Sequence, residues 1–323
     1  MKAIIHSNYG SPDSLELREV DKPIPKDDEV LTRVHASSVN DWEAGLVAGR
    51  PLLMRPSVGW FKPKVRILGC DVAGVVEAVG RNVRRFQPGD AVYGDVHASG
   101  FGAFAEYVCA NENALEPMPS RLSFEQAAAI PHGATLAWQG LYDTGQVQSG
   151  QELLINGAGG GVGPIALQLA KMHDLEVTGV DRGEKLSMLR SLGFDHTIDY
   201  LKQDFTRSGK RYDLILDVKT TRSPFDYVRA LKPGGRYVTV GGSTLRLLQV
   251  LLFGKWISRM KNRQIQILIL KANRGLAEMA ELIETGKIVP VVEGPYPLRE
   301  VPEALKFFSE GRQKGRIVIA VRE

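Results

Sequence analysis

The sequence predicts an α/β protein in two parts, one β-rich and one built on a doubly wound parallel sheet. Three observations predict it. Short β-branched runs between Pro and Gly turns fill the first 120 residues. From about Ser123 strand-like and helix-like segments alternate singly, and at 157–163 a glycine-rich turn joins a strand to a helix. With 323 residues the chain is long enough for two domains, each burying its own core.

Taken in order, strands are expected over 29–35, 72–79, 91–93 and 104–109. Ala127, Ala128 and Ala129 open a helical stretch. A strand over 153–156 leads into a helix over 162–173, which aligns Ile165, Leu169 and Met172 and tolerates Pro164 in its first turn. Then follow a strand at 176–180, a helix at 184–192 and strands at 197–200 and 214–218. A helix ending at Lys232-Pro-Gly-Gly235 precedes a strand at 236–240. Single helices between strands imply parallel pairing with right-handed crossovers. The C-terminal segment adds a helix at 276–285, a strand near 288–292, a helix at 301–310 and a strand at 316–321.

Composition narrows the function. A net charge of +4 with no Lys/Arg run argues against a nucleic-acid partner. Two cysteines, Cys70 and Cys109, provide neither a disulfide framework nor a four-cysteine zinc lobe. The apolar N-terminal stretch is too short for a signal peptide, and the longest apolar run, 247–253, is far below the roughly twenty residues of a spanning helix. A soluble, cytoplasmic protein without a membrane partner is expected.

The glycine loop carries the chemistry. Glycines at 157, 159, 160, 161 and 163 let backbone approach a pyrophosphate, and the helix that follows offers unpaired N–H groups and a partial positive charge. About twenty residues on, Asp181 ends the next strand, where a carboxylate can accept from an adenosine ribose.

The run from Gly150 through Gly160-Gly161-x-Gly163 to Gln168 and Lys171 resembles the signature of the quinone oxidoreductase (zeta-crystallin-like) branch of the medium-chain dehydrogenase/reductases, a zinc-free branch. Gly69-x-Asp71-x-x-Gly74, Gly80, Val83, Phe86 and Gly89-Asp90 resemble its substrate-domain motif, and Ala36-Ser-Ser-Val-Asn40 its early active-site motif. Lys232-Pro-Gly-Gly235 and Gly286-Lys-Ile-x-Pro290 match later landmarks. The resemblance implies a GroES-like substrate domain of residues 1–121 and 273–323, a Rossmann domain of 122–272, and an active site in the cleft between them. It also implies a homodimer through the edge strand at 264–270.

Zinc-dependent relatives place ligands where this chain has Asn40, Cys70, Asp71 and His132. Asn is a poor zinc ligand, so no metal is expected, the alternative being a cryptic site of Cys70, Asp71 and His132. Without a metal the protein must orient substrate and polarise a carbonyl by hydrogen bonds. The candidate catalytic residues are Asn40 as amide donor, Asp41 as proton relay or helix cap, and His132. The cofactor candidates are Thr135, Gly159, Gly160, Gly161, Val162, Gly163, Asp181, Arg182, Lys185, Tyr200, Val218 and Gly241. Asp181 favours NAD(H), while Arg182 and Lys185 suit the 2′-phosphate of NADP(H), so binding of both forms is expected. The segment 49–68, with Arg50, Arg55, Lys62, Lys64 and Arg66 around Trp60 and Phe61, reads as a mobile lid or a loop anchored by its aromatics. Residues 245–257 read as pocket lining or as a buried helix in a dimer interface.

The resulting expectation is a zinc-independent NAD(P)H oxidoreductase delivering hydride to a quinone or an α,β-unsaturated carbonyl. Alcohol/aldehyde dehydrogenation with the cryptic zinc, and a non-catalytic nucleotide-binding role, are the alternatives.

Overall fold

The computed structural model describes residues 1–50, 52 and 55–322. Along the chain, β1 (Lys2–His6), β2 (Leu15–Glu19), β3 (Glu29–Ser38), β4 (Asp71–Val79), β5 (Ala91–Asp95), β6 (Tyr107–Asn111) and β7 (Glu116–Pro117) come first. Then follow β8 (Glu152–Asn156), β9 (Glu176–Asp181), β10 (His196–Asp199), β11 (Tyr212–Asp217), β12 (Leu231–Thr239) and β13 (Gln264–Ile267). The chain ends with β14 (Val292–Pro297) and β15 (Arg316–Ala320).

These pack as two compact units, Met1–His132 with Leu276–Glu323, and Gly133–Gly275. The division falls inside the Pro131–Trp138 helix instead of at 121/122. The reason is packing. The Phe124–Ala128 helix, closed by a Ser123–Gln126 capping box, joins the β-rich unit and stacks Phe124 on His35 of β3 at 4.1 Å.

In the β-rich unit, β1 pairs with β2, and the larger sheet runs β14-β15-β3-β4-β5-β7 with β6 also on β3. Its antiparallel register sets Ser38 opposite Asp71 and Asp71 opposite Asp95, so the ends of three strands form one polar row. The second unit is a parallel sheet of order β10-β9-β8-β11-β12-β13. Numbered from β8, that order is 3-2-1-4-5-6, whose topological switch point lies between β8 and β11. Alternating β–α segments with buried apolar strands (Leu153, Leu154, Ile155, Leu214, Ile215, Leu216) produce it.

Three expectations shift. Lys232-Pro-Gly-Gly235 lies inside β12, because the helix stops at Arg229 and a register irregularity against β11 accommodates the Pro and Gly residues. The strand expected near 288–292 occupies Val292–Pro297, with its own irregularity around Gly294-Pro295. The apolar 245–257 segment forms the Thr244–Lys261 helix, which buries Val250, Gly254 and Ile257 within its own unit. In the 49–68 segment, Pro51, Leu53 and Met54 lie outside the described residues. Trp60 and Phe61 are exposed, so they do not anchor it. The anchor is Arg55, which lies over the Tyr9 ring and donates to the carbonyls of Gly49 and Trp60.

Candidate active site

The polar row of the β-rich unit becomes a buried cluster. Asn40 follows β3 and caps the Asp41–Val47 helix: its Oδ1 accepts from the Trp42 N–H, and Glu43 Oε2 accepts from the Asn40 N–H at 2.9 Å. Glu43 Oε1 takes the Cys70 N–H, and Asn40 Nδ2 donates to Cys70 Sγ at 2.6 Å. One amide hydrogen of Asn40 remains beyond that bond. Asp71 accepts from Ser38 Oγ, from the His132 N–H and from the guanidinium of Arg316 on β15. Asp95 takes His132 Nδ1 and His97 Nδ1, both at 2.8 Å. Two carboxylates directly opposite in neighbouring strands would repel. Here Arg316 balances one and a pair of imidazoles the other.

The surroundings move the proton affinities. Burial and the neighbouring Asp71 push Glu43 up to about 7. Burial, with Glu43 and Asp71 close by, drives the Cys70 thiol well up, so it stays a thiol. Burial would raise Asp95, but the hydrogen bonds from His132 and His97 outweigh it and hold the carboxyl well below its usual range. The same bond raises His97, whose ring stacks on Trp42 at 5.7 Å.

In the parallel-sheet unit the glycine loop is a backbone cradle. The N–H groups of Gly157 and Ala158 both donate to the Val180 carbonyl, turning the chain sharply after β8. The Gly163–Lys171 helix starts with no side chain capping it, which leaves its first N–H groups for an anion. Gly163 is fixed by space: a Cβ there would lie 2.1 Å from the Ala158 carbonyl oxygen. Gly133 is similarly tight, with the Gly161 carbonyl oxygen 2.7 Å from a Cβ.

Asp181 is turned inward. Its Oδ2 accepts from the Gly159 N–H at 2.7 Å and its Oδ1 from Arg182 N–H, while the buried Lys185 ammonium lies 3.5 Å away. Arg182, half-buried, is braced instead by Tyr200, whose hydroxyl accepts from Nε at 3.0 Å. Val218 and Gly241 follow the ends of β11 and β12, and a Cβ at Gly241 meets nothing within 4 Å. Thr135 Oγ1 is buried and has no hydrogen-bond partner.

Known proteins match over both units. The alcohol dehydrogenase GroES-like domain family model covers residues 26–120, and the zinc-binding dehydrogenase model covers residues 192–319. The 2-methylene-furan-3-one reductase of Solanum lycopersicum is 31% identical over 99% of this chain and 79% of its own length. The quinone oxidoreductase of Homo sapiens is 31% identical over 94% of this chain and 92% of its own. Among solved structures, the quinone oxidoreductase from Coxiella burnetii superposes with a TM-score of 0.89 at 27% identity, covering 100% and 99% of the two chains. The chain belongs to the medium-chain dehydrogenase/reductase superfamily, in its quinone oxidoreductase branch.

The superfamily's zinc chemistry makes the donors of this member worth testing. Cys70, Asp95 and His132 bring ligand atoms within 4.8 Å of one another. Asp71, expected in that trio, faces Arg316 and Ser38 instead, and Asp95 stands in its place. The trio does not suit zinc as arranged. Its donors are already engaged: Cys70 Sγ accepts from the Asn40 amide and Asp95 is shared between two imidazoles, one of them His132, so a zinc ion would have to displace these bonds. For a nicotinamide dinucleotide the fit is good. An uncapped helix N-terminus, side-chain-free loop positions and the orphaned Thr135 hydroxyl are what such a ligand uses.

Among the sequence candidates, Asn40 and His132 enter one cluster, while Asp41 is exposed at the first helical position and outside it. The loop glycines, Asp181, Arg182, Lys185 and Tyr200 gather in the other unit. The sequence reading missed Glu43, Asp95, His97 and Arg316. The spacing Asn40-x-x-Glu43 is a capping box and was the one signal available for any of them.

Proposed function

We propose that this chain is a zinc-independent NADPH-preferring oxidoreductase that reduces a quinone or the carbon–carbon double bond of an α,β-unsaturated carbonyl. The glycine cradle opening an uncapped helix carries the reading. The relatives' names, a furanone reductase and a quinone oxidoreductase, supply the substrate class.

Reduced nicotinamide, when bound, supplies the hydride. The Gly160–Gly163 backbone at the open helix N-terminus seats the diphosphate, the Gly159 N–H being held by Asp181. Asp181 is neutralised by Lys185 and spent on the loop, so it offers a ribose little, and Arg182 with Tyr200 is the cation suited to a 2′-phosphate. This shifts the expected dual use toward NADPH. The free Asn40 amide hydrogen donates to the substrate oxygen, and His132 and His97, tied through Asp95, hold the proton that the reduced product takes up. Asp41 drops out of this set.

We further read the protein as cytoplasmic, on its two free cysteines, and as a homodimer joined at β13, the open edge of the parallel sheet. Among the described residues no helix is long and apolar enough to cross a membrane.

The test follows nicotinamide absorbance with NADPH or NADH and a panel of quinones, enones and simple aldehydes. Turnover of quinones or enones, faster with NADPH, is expected. Turnover of aldehydes alone would favour the alcohol dehydrogenase alternative, and tight nucleotide binding without any turnover the non-catalytic one.

A further inference from the structure

The Thr244–Lys261 helix buries one narrow stripe, Val250, Gly254 and Ile257, against its own unit. Its outward surface is apolar. Leu252 is 72% exposed, Leu251 66% and Trp256 54%, and Leu245, Leu248, Phe253 and Met260 are exposed as well. At helical spacing Leu245, Leu248, Leu252 and Trp256 share the side opposite the buried stripe. Phe225, exposed on the neighbouring Pro224–Arg229 helix, extends the patch by packing its ring on Phe253 and Trp256 at 5.6 and 6.3 Å. Scattered exposed leucines need no explanation, but a contiguous patch with two large aromatics does.

Charge says what covers it. From 227 to 277 the sequence holds ten Lys and Arg and no Asp or Glu. Four of those cations, Arg246, Lys255, Arg259 and Lys261, lie on this helix, and Lys255 and Arg259 stand among its outward leucines. A second copy seated face to face on this helix, as distinct from one paired along β13, would set its cations against their own copies. The acid beside the patch, Asp226, is already paired with Arg229. Leu, Phe and Trp on an exposed helix beside long basic side chains are the chemistry of a helix lying in a bilayer interface.

We propose that the Thr244–Lys261 helix docks the protein peripherally on an anionic lipid surface. This departs from the expectation that no membrane is involved, and it requires no spanning segment. It is independent of the catalytic reading, since none of the residues assigned there lies on this helix.

Co-sedimentation with vesicles of phosphatidylcholine, with and without phosphatidylglycerol, tests it, alongside sedimentation velocity without lipid. Binding to the anionic vesicles only, weakened by salt and accompanied by a blue shift of Trp256 emission, is expected. Lys255→Gln and Arg259→Gln should each weaken partitioning about fivefold. Leu252→Glu with Trp256→Glu should abolish it, while NADPH affinity and melting temperature stay at the wild-type values and show that the variants fold. Failure to bind anionic vesicles at low salt would overturn the proposal. So would a lipid-free dimer that dissociates on Leu252→Glu, because the face is then covered by another copy.

Discussion

Two alanine substitutions three residues apart separate what the glycine loop does for folding from what it does for the cofactor. At Gly163 an added Cβ lies 2.1 Å from the carbonyl oxygen of Ala158 and 2.5 and 2.6 Å from its carbonyl carbon and Cα. All three are backbone atoms, so no rotamer relieves the clash and the turn itself must shift. Overpacking of this kind costs about 1–3 kcal/mol, and three backbone clashes put it at the upper end, so that about 1–2 kcal/mol is lost after alanine's better helix propensity returns up to about 1 kcal/mol. At Gly160 the nearest atom to an added Cβ is the Gly157 carbonyl oxygen at 3.7 Å, an ordinary contact, and the backbone needs no left-handed conformation. Gly163→Ala is therefore expected to lower the melting temperature by roughly 2–4 °C for each kcal/mol lost. Gly160→Ala should leave melting unchanged yet weaken NADPH at least about tenfold, some 1.4 kcal/mol, because its methyl group occupies the space of the diphosphate. Thermal melts and fluorescence titration of NADPH read the two effects. Unaltered NADPH affinity in a folded Gly160→Ala would refute the cradle, and an unaltered melt of Gly163→Ala would refute the packing argument.

Four further outcomes are expected. Glu43 is raised to about 7 when folded against 4.5 when unfolded, so its contribution to stability is fully present below 4.5 and is lost as pH rises through 7. That loss reaches about 3 kcal/mol at most, and urea melts of Glu43→Gln should show a flatter pH dependence over this window. Asp95 is lowered and His97 raised by the same bond, so the pair stabilises above the usual carboxylate range and below the usual imidazole range. Asp95→Asn should accordingly cost most between those two ranges and less as the pH rises through the raised His97 value, where His97 loses its proton; a cost that does not fall as pH rises would refute the pairing. Arg182→Ala should weaken NADPH by at least about tenfold while changing NADH little, since only the former loses a charge-assisted phosphate contact. Elemental analysis should find zinc far below one ion per chain, and chelator treatment should leave quinone or enone turnover unaltered; stoichiometric zinc would revive the dehydrogenase alternative.

The parallel-sheet unit was the legible one because its chemistry is local. Strand, glycine turn, helix and Asp181 lie within about thirty residues, and the β–α alternation carries the sheet order with it. Even there, side-chain direction escaped. Nothing in the spacing shows that Asp181 faces the Gly159 N–H instead of solvent, or that Lys185 folds back over it. That depends on where the Gly183–Lys185 turn places the ammonium, a matter of tertiary packing.

The β-rich unit shows the opposite case. Its cluster is assembled by antiparallel register, and a register of this kind is set by the whole sheet. Asp71 meets Asp95 only because β4 and β5 pair end to end, and it meets Arg316 only because β15 returns from the far end of the chain to lie on β3. A sequence motif can point at Cys70, Asp71 and His132, yet it cannot tell which carboxylate turns toward the imidazole. The answer decides the chemistry. With Asp71 bound by the cation of Arg316, the carboxylate left for His132 is Asp95, and His97 comes with it. The site that a zinc ion occupies in metal-dependent members of the superfamily here holds hydrogen-bonded groups side by side, the Cys70 thiol with the Asn40 amide and the Asp95 carboxylate with two imidazoles. Such an arrangement can position an oxygen and carry a proton without a cation, and its integrity depends on Arg316, 276 positions from Asn40, as much as on any residue of the local motif.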